Sequence, residues 1–244
     1  MIVERIEHPD WLSNAYLVAD APGGSGVLVD ANGLEDALVK RAEEQGVTLT
    51  HVLCTHGHPD HVVGIQALAA RLDVPLLAHP DAAVAADERL ADGQAIASGD
   101  LEIETLYTPG HCPDHVAFLF DGTDCLTADC LFKGTVGGTA GGGPNGFAEQ
   151  VHSIVERLLT LPPKTRIHPG HREPSTVGDE LERNPFVRVW RGLDPEGSEP
   201  CRVRGEEATL VLWGPDYDGT HKAWVRFLDG REAIVGGSQV ERET

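Results

Sequence analysis

Within the seven residues Thr55-His56-Gly57-His58-Pro59-Asp60-His61 the chain places three imidazoles and a carboxylate. The segment follows the short apolar run His51-Val52-Leu53-Cys54. It leads into a helical pattern from Val62 to Leu72, where Ile65, Leu68, Ala69 and Leu72 share a face. A buried strand therefore ends, and a helix begins, around these side chains, at the kind of sheet edge where α/β proteins form ligand sites. His56 and His58, two apart, point the same way from extended chain, and Asp60 and His61 turn off as the helix starts. Such nitrogen and oxygen donors suit a borderline cation such as Zn²⁺ or Fe²⁺, and one segment can feed two adjacent ions. The plainer reading, a histidine cluster on a helix start, requires four metal-type residues to meet by accident.

Three further loops follow strand patterns. Thr108-Pro109-Gly110-His111-Cys112-Pro113-Asp114-His115 is a rigid turn that holds one imidazole inward. Taken alone, His111 also reads as a turn or core histidine, and His115 as either an orienting partner of a ligand or a structural hydrogen-bonding group. Leu126-Thr127-Ala128-Asp129-Cys130 ends a strand in a carboxylate placed to bridge two cations, although an Asp here is also an ordinary strand-end residue. Cys130 is not read as a ligand, because it is the next residue along and points away. Ile167-His168-Pro169-Gly170-His171 repeats the Pro-Gly-His turn.

Elsewhere the pattern alternates. Asn14–Val18 and Gly26–Asp30 flank a turn-rich stretch and read as a hairpin. Helices are expected over Leu34–Gln45, stopped by Gly46, over Val62–Leu72, and over Phe147–Leu161. Strands are expected over Val74–Ala78, Leu101–Tyr107, Val116–Phe120, Cys125–Ala128 and Thr165–His168. Gly134–Gly146 is an irregular loop, read either as a cover for the site or as plain surface. From Val189 the chain changes to β character, with an Asp229-Gly230 hairpin turn. Residues 1–188 are expected to form one domain and 189–244 a small β-rich appendage, with Trp190, Trp213 and Trp224 as its core. The appendage reads as a dimer contact, a lid or a substrate-side wall, and a homodimer is one expectation.

The formal net charge of −20 argues against nucleic acid and anionic membranes as partners, since phosphate binding needs clustered Lys and Arg. The five Cys form no CxxC pair, and their odd number argues against a disulfide framework. With no signal-peptide layout at Met1 and no long apolar run, a cytoplasmic location is expected.

The motif series resembles the metallo-β-lactamase superfamily, and within it the glyoxalase II-like (hydroxyacylglutathione hydrolase-like) metallohydrolases. The resemblance rests on His56-Gly-His58-Pro-Asp60-His61, Pro-Gly-His111, Thr-Ala-Asp129-Cys-Leu-Phe and Pro-Gly-His171, with Ser175–Glu180 and Arg183-Asn184-Pro185-Phe186 beyond them. It spans roughly residues 1–188. It implies an α/β fold, the αββα sandwich, with a two-metal site. His56, His58 and His111 would bind one ion and Asp60, His61 and His171 the other, with Asp129 bridging. Asp60 and Asp129 would also be the catalytic carboxylates. Zinc is the expected metal, with iron or manganese as alternatives. The implied reaction is hydrolysis of a small acyl-thioester by a hydroxide held between the two metals. The alternatives on the same fold are a persulfide dioxygenase with one iron and a lactonase or β-lactamase-like hydrolase. The chain departs from glyoxalase II enzymes at its C-terminus, which reads as β where theirs is helical, and in the Gly-rich stretch after Asp129.

Overall fold

A computed structural model describes residues 1–242. By its internal contacts the chain divides into two units. One comprises Met1–Tyr107, Asp114–Ala128 and His168–Arg172. The other comprises Thr108–Pro113, Asp129–Ile167 and the described chain from Glu173.

The first unit is built on two sheets. One runs in the order Ile2–Glu7, Asn14–Ala19, Ser25–Val29, Thr48–Leu53, Leu76–Ala78, Glu88–Arg89. Its first three strands are antiparallel, with Tyr16 opposite Val29, and the later pairs are parallel. The other contains the antiparallel strands Asp124–Ala128, Val116–Phe120, Leu101–Tyr107 and Ala95–Ser98. Period-2 alternation divides the first sheet between two cores. Ala15, Leu17, Ala19 and Leu28 pack beneath the helices Asp36–Glu44 and Ile65–Leu72. Tyr16, Val18, Val27 and Val29 face Ile103, Phe118, Phe120 and Leu126 of the second sheet. Because both faces are covered, strand Asn14–Ala19 is buried at every residue.

The hairpin and the strands Leu101–Tyr107 and Val116–Phe120 lie where the pattern puts them. The helix expected over Val62–Leu72 is instead two pieces, Pro59–Val62 and Ile65–Leu72. Val63 is extended and Gly64 left-handed (φ 70°), and Val62 and Val63 bridge to Ala31 and Asn32. The apolar period tolerates this break because Gly64 removes only one side chain from the pattern.

The second unit holds a five-stranded antiparallel sheet in the order Glu232–Gly236, His221–Phe227, Glu206–Pro215, Glu199–Val203, Val240–Arg242. Leu210, Ala223, Val225 and Val235 are central to its core. Gly230, at φ 87°, makes the expected turn. The helix expected over Phe147–Leu161 is α-helical only over Gly146–His152. It widens to a π-type turn over Ser153–Leu158, where the Ser153 hydroxyl donates to the Pro109 carbonyl at 2.7 Å. Gly134–Gly146 carries a two-residue strand, Thr135–Val136, paired with Leu131–Phe132. The tryptophans do not form the sheet core as a group. Trp213 is partly buried against it, whereas Trp224 stacks on Phe147 and Trp190 meets both of those rings edge-on. These rings fasten helices Gly146–His152 and Pro185–Trp190 to the sheet, since Phe147 and Trp190 lie in the helices and Trp224 in strand His221–Phe227.

Candidate functional site

The central parallel strand of the first unit, Thr48–Leu53, delivers Thr55 and His56 into a fully buried position. His58 is the extended N-cap (φ −68°, ψ 143°) of the short helix Pro59–Val62, with Pro59 at its first turn. Asp30, which ends strand Ser25–Val29 in a left-handed conformation (φ 61°), organises this group. Its carboxylate accepts from the Thr55 amide at 2.8 Å, from the Thr55 hydroxyl at 2.7 Å and from His61 Nδ1 at 2.9 Å.

Proton accounting then sets the tautomers. A carboxylate can only accept, so His61 carries its proton on Nδ1 and Nε2 is the basic nitrogen. The Thr55 hydroxyl has one proton, which goes to Asp30. His56 Nδ1, 3.0 Å from that hydroxyl, therefore donates to it, and in the neutral ring Nε2 is then the basic nitrogen. His56 Nε2 lies 3.1 Å from His58 Nδ1. Two nitrogens bound to one tetrahedral zinc stand about 3.3 Å apart, so the pair fits one cation. Asp60 Oδ2 is 3.6 Å from His61 Nε2 and 3.5 Å from His171 Nε2, and the three donor atoms lie within 4.8 Å of one another. These are also ligand-edge separations.

His171 is brought to this group by polar clasps across the chain. Tyr16 donates to the Pro169 carbonyl at 2.6 Å, and Asn14 Nδ2 donates to the carbonyls of Pro169 and Arg172, both at 2.9 Å. Burial pushes the Tyr16 phenol up, so it stays a donor. His168 is not in the cluster. Its ring pairs with the buried Asp124 at 2.8 Å. His115 is buried with its ring 5.2 Å from that of His56, and Asp114 accepts from the Gly57 amide at 2.8 Å. Burial, reinforced by Asp30 and Asp114, pushes the Cys54 thiol well up, which keeps it a neutral core group.

In the second unit His111 and Asp129 form a pair, with Nε2 and Oδ2 3.6 Å apart. His111 Nδ1 donates to the Gly138 carbonyl at 2.8 Å, so here too Nε2 is the basic nitrogen. The backbone beside Asp129 is fixed by the Cys130 carbonyl, which accepts from Gln150 at 2.8 Å and from the Gly137 amide at 3.2 Å. A Cβ on Gly137 would lie 1.9 Å from the Asp129 carbonyl oxygen. Gly110, at φ +134°, packs against Gln150 so closely that a Cβ would meet its backbone nitrogen at 2.3 Å.

Asp30, Thr55, Asn14, Tyr16 and Gln150 are not singled out by sequence. The sole hint for Asp30 is a carboxylate ending an apolar strand, which ordinarily means a cap.

Residues 8–171 match the Metallo-beta-lactamase superfamily, and the chain belongs to it. Its fold is the metallo-β-lactamase fold, whose members bind divalent metal ions, and membership points to an enzyme of metallo-hydrolase type. Among its relatives is the hydroxyacylglutathione hydrolase-like protein of Homo sapiens, 33% identical over 209 residues, covering 82% of this chain and 72% of the relative. The structure of ETHE1 from Myxococcus xanthus superposes with a TM-score of 0.71 at 30% identity, over 78% of this chain and 85% of that one. A second relative, solved in a di-iron-bound form, gives a TM-score of 0.64 at 30% identity, over 75% of this chain and 100% of that one. No helix among the described residues is long and apolar enough to cross a membrane.

Proposed function

We propose that this protein is a two-metal hydrolase of acyl-thioesters. In this reading His56, His58 and His111 hold one cation, Asp60, His61 and His171 hold the other, and Asp129 serves both. The observation that carries it is the fixed tautomer of three imidazoles: His56, His61 and His111 each spend Nδ1–H on a protein acceptor and keep Nε2 basic. Second-sphere acceptors of this kind are what orient metal-binding histidines. The mixed nitrogen and carboxylate donor set suits zinc first. Iron is the other candidate, supported by the di-iron-bound relative.

A pair of divalent cations supplies Lewis acidity, lowering the pKa of a water and drawing charge from a carbonyl oxygen. The chain's own residues determine which bond is cleaved. Because the Nδ1 protons of His56, His61 and His111 are committed to Thr55, Asp30 and Gly138, none of them is positioned to protonate a departing group. A thiolate, of pKa about 8.5, needs such help least, which favours a thioester over an amide or an ordinary ester. Asp60, whose side chain is 26% exposed, is the carboxylate that solvent reaches, and it accepts the proton of the attacking water. The net charge of −20 disfavours polyanionic substrates. The name of the human relative supports an acyl-thiol ester of small size.

The test is elemental analysis of the purified protein alongside a panel of acyl-thioesters. The expected result is two ions per chain and thioester turnover that a chelator abolishes and added metal restores. One iron per chain, inert thioesters and oxygen uptake on a persulfide would overturn the proposal in favour of a dioxygenase on the same fold.

A further inference from the structure

Lys222 lies in strand His221–Phe227 of the C-terminal sheet, yet it is only 5% exposed. Lysine is almost never buried unless paired. Here Nζ donates to the Val136 carbonyl at 2.9 Å and pairs with Asp216 at 3.0 Å, and it lies over the rings of Phe132 and Tyr217 at 5.3 and 5.2 Å. Three residues further on, the same loop is fastened again. The Thr139 amide donates to the Ile234 carbonyl at 2.9 Å, and the Ile234 amide donates to the Thr139 hydroxyl at 2.9 Å. Ile234 belongs to the edge strand Glu232–Gly236, so the loop uses hydrogen-bonding capacity that would otherwise face outward.

Between the two fastenings lie the residues that set a metal-binding pair. Gly137 is pressed onto the Asp129 carbonyl with no space for a Cβ, and its amide closes onto Cys130. The Gly138 carbonyl receives the His111 Nδ1 proton. Residues 136–139 therefore touch the C-terminal sheet on one side and His111 and Asp129 on the other.

We infer that Lys222 and Thr139 are positioning residues, through which the C-terminal sheet sets the orientation of His111 and Asp129 for metal binding. The inference rests on the two-metal reading above. It gives the sheet a role in the metal centre, and it does so through backbone: a carbonyl held by an ammonium, and a glycine segment that has no side chains of its own to lock it.

The experiment compares wild type with K222M, T139V and V225A, the last a cavity in the core of the same sheet, on the face opposite Lys222 by the alternation of the strand. Zinc affinity is read by competition with a chromophoric chelator, and ligand geometry by the visible absorption of the cobalt-substituted proteins. K222M and T139V are expected to bind zinc about tenfold more weakly or worse, with displaced cobalt bands. V225A is expected to lower the unfolding temperature and leave both metal readouts at the wild-type values. If K222M does not fold, T139V decides alone, since valine keeps the shape of threonine and removes only the hydroxyl. A wild-type chain that retains no metal overturns the two-metal reading, and the inference with it. A wild-type chain holding two ions, with K222M and T139V holding them as tightly, overturns the inference alone. So does V225A weakening zinc as much as they do.

Discussion

The two groups of candidate ligands are held by different means. In the first unit the imidazoles are oriented by side chains: Asp30 grips His61 and Thr55, Thr55 accepts from His56, and Tyr16 and Asn14 fasten the turn carrying His171. In the second unit His111 and Asp129 are set by backbone: a Gly138 carbonyl, a Cys130 carbonyl and two glycines packed too tightly for a methyl group. A ligand held by side chains fails when a polar partner is removed and the buried donors it served are left unsatisfied. A ligand held by close backbone packing fails when an atom is added. Each region should therefore be sensitive to the kind of change that the other tolerates.

The largest expected effect is in the second region. Gly110→Ala puts a Cβ 2.3 Å from the Gln150 nitrogen at a φ of +134°, which no L side chain adopts without strain. Backbone sits on both sides of the clash, so no side-chain rotation relieves it. A loss above about 4 kcal/mol is expected, read as a collapse of the urea midpoint or as failure to accumulate folded protein. A G110A protein within about 1 kcal/mol of wild type would mean that the turn carrying His111 yields easily, and the contrast between the regions would be lost.

Next in size is Asp30→Ala. It leaves the Thr55 amide, the Thr55 hydroxyl and His61 Nδ1 without their acceptor in a site where His56 and His61 are fully buried. About 3 kcal/mol of stability should go, because each buried donor costs its desolvation. His61 should also lose its tautomer, so bound metal should fall at Asp60, His61 and His171. Urea unfolding with metal analysis checks both. If D30A lost stability but kept its full metal content, Asp30 would be a core residue only.

The difference in means also explains what could be read before the structure. His56, His58, Asp60 and His61 stand out because a single turn of chain carries four donors beside a strand end. His111, Asp129 and His171 are scattered, and each alone resembles a turn or cap residue, so they gain meaning only as a series. Tyr16 and Lys222 leave no local trace, and Asp30 leaves only that of an ordinary strand-end carboxylate. The Tyr16–Pro169 bond spans 153 positions, and a lysine in an amphipathic strand ordinarily points to water. The break at Gly64 is equally silent, because Ile65, Leu68, Ala69 and Leu72 keep helical spacing whether or not the turn before them continues. Strands 101–107 and 116–120 were readable to the residue, one through its alternation and the other through an unbroken apolar run between turns.

The smallest effect sharpens the comparison from the other side. Gly57 lies inside the histidine motif of the first region, where an added methyl should do little. A Cβ there would approach Asp114 Oδ2 at 3.0 Å and the Ala83 nitrogen at 3.8 Å. The nearer atom is the tip of a rotatable carboxylate, which can withdraw by a few tenths of an ångström. Its retreat lengthens the 2.8 Å bond from the Gly57 amide, at a cost of about 1 kcal/mol or less. Alanine also narrows the unfolded ensemble, which returns about 0.4–1 kcal/mol where the backbone angles are ordinary. The two terms nearly cancel, so G57A should unfold within about 1 kcal/mol of wild type and keep its metal content. A loss as large as that of G110A would show that Asp114 has no room to move. The first region would then also depend on close packing, and the division between side-chain and backbone control would fail.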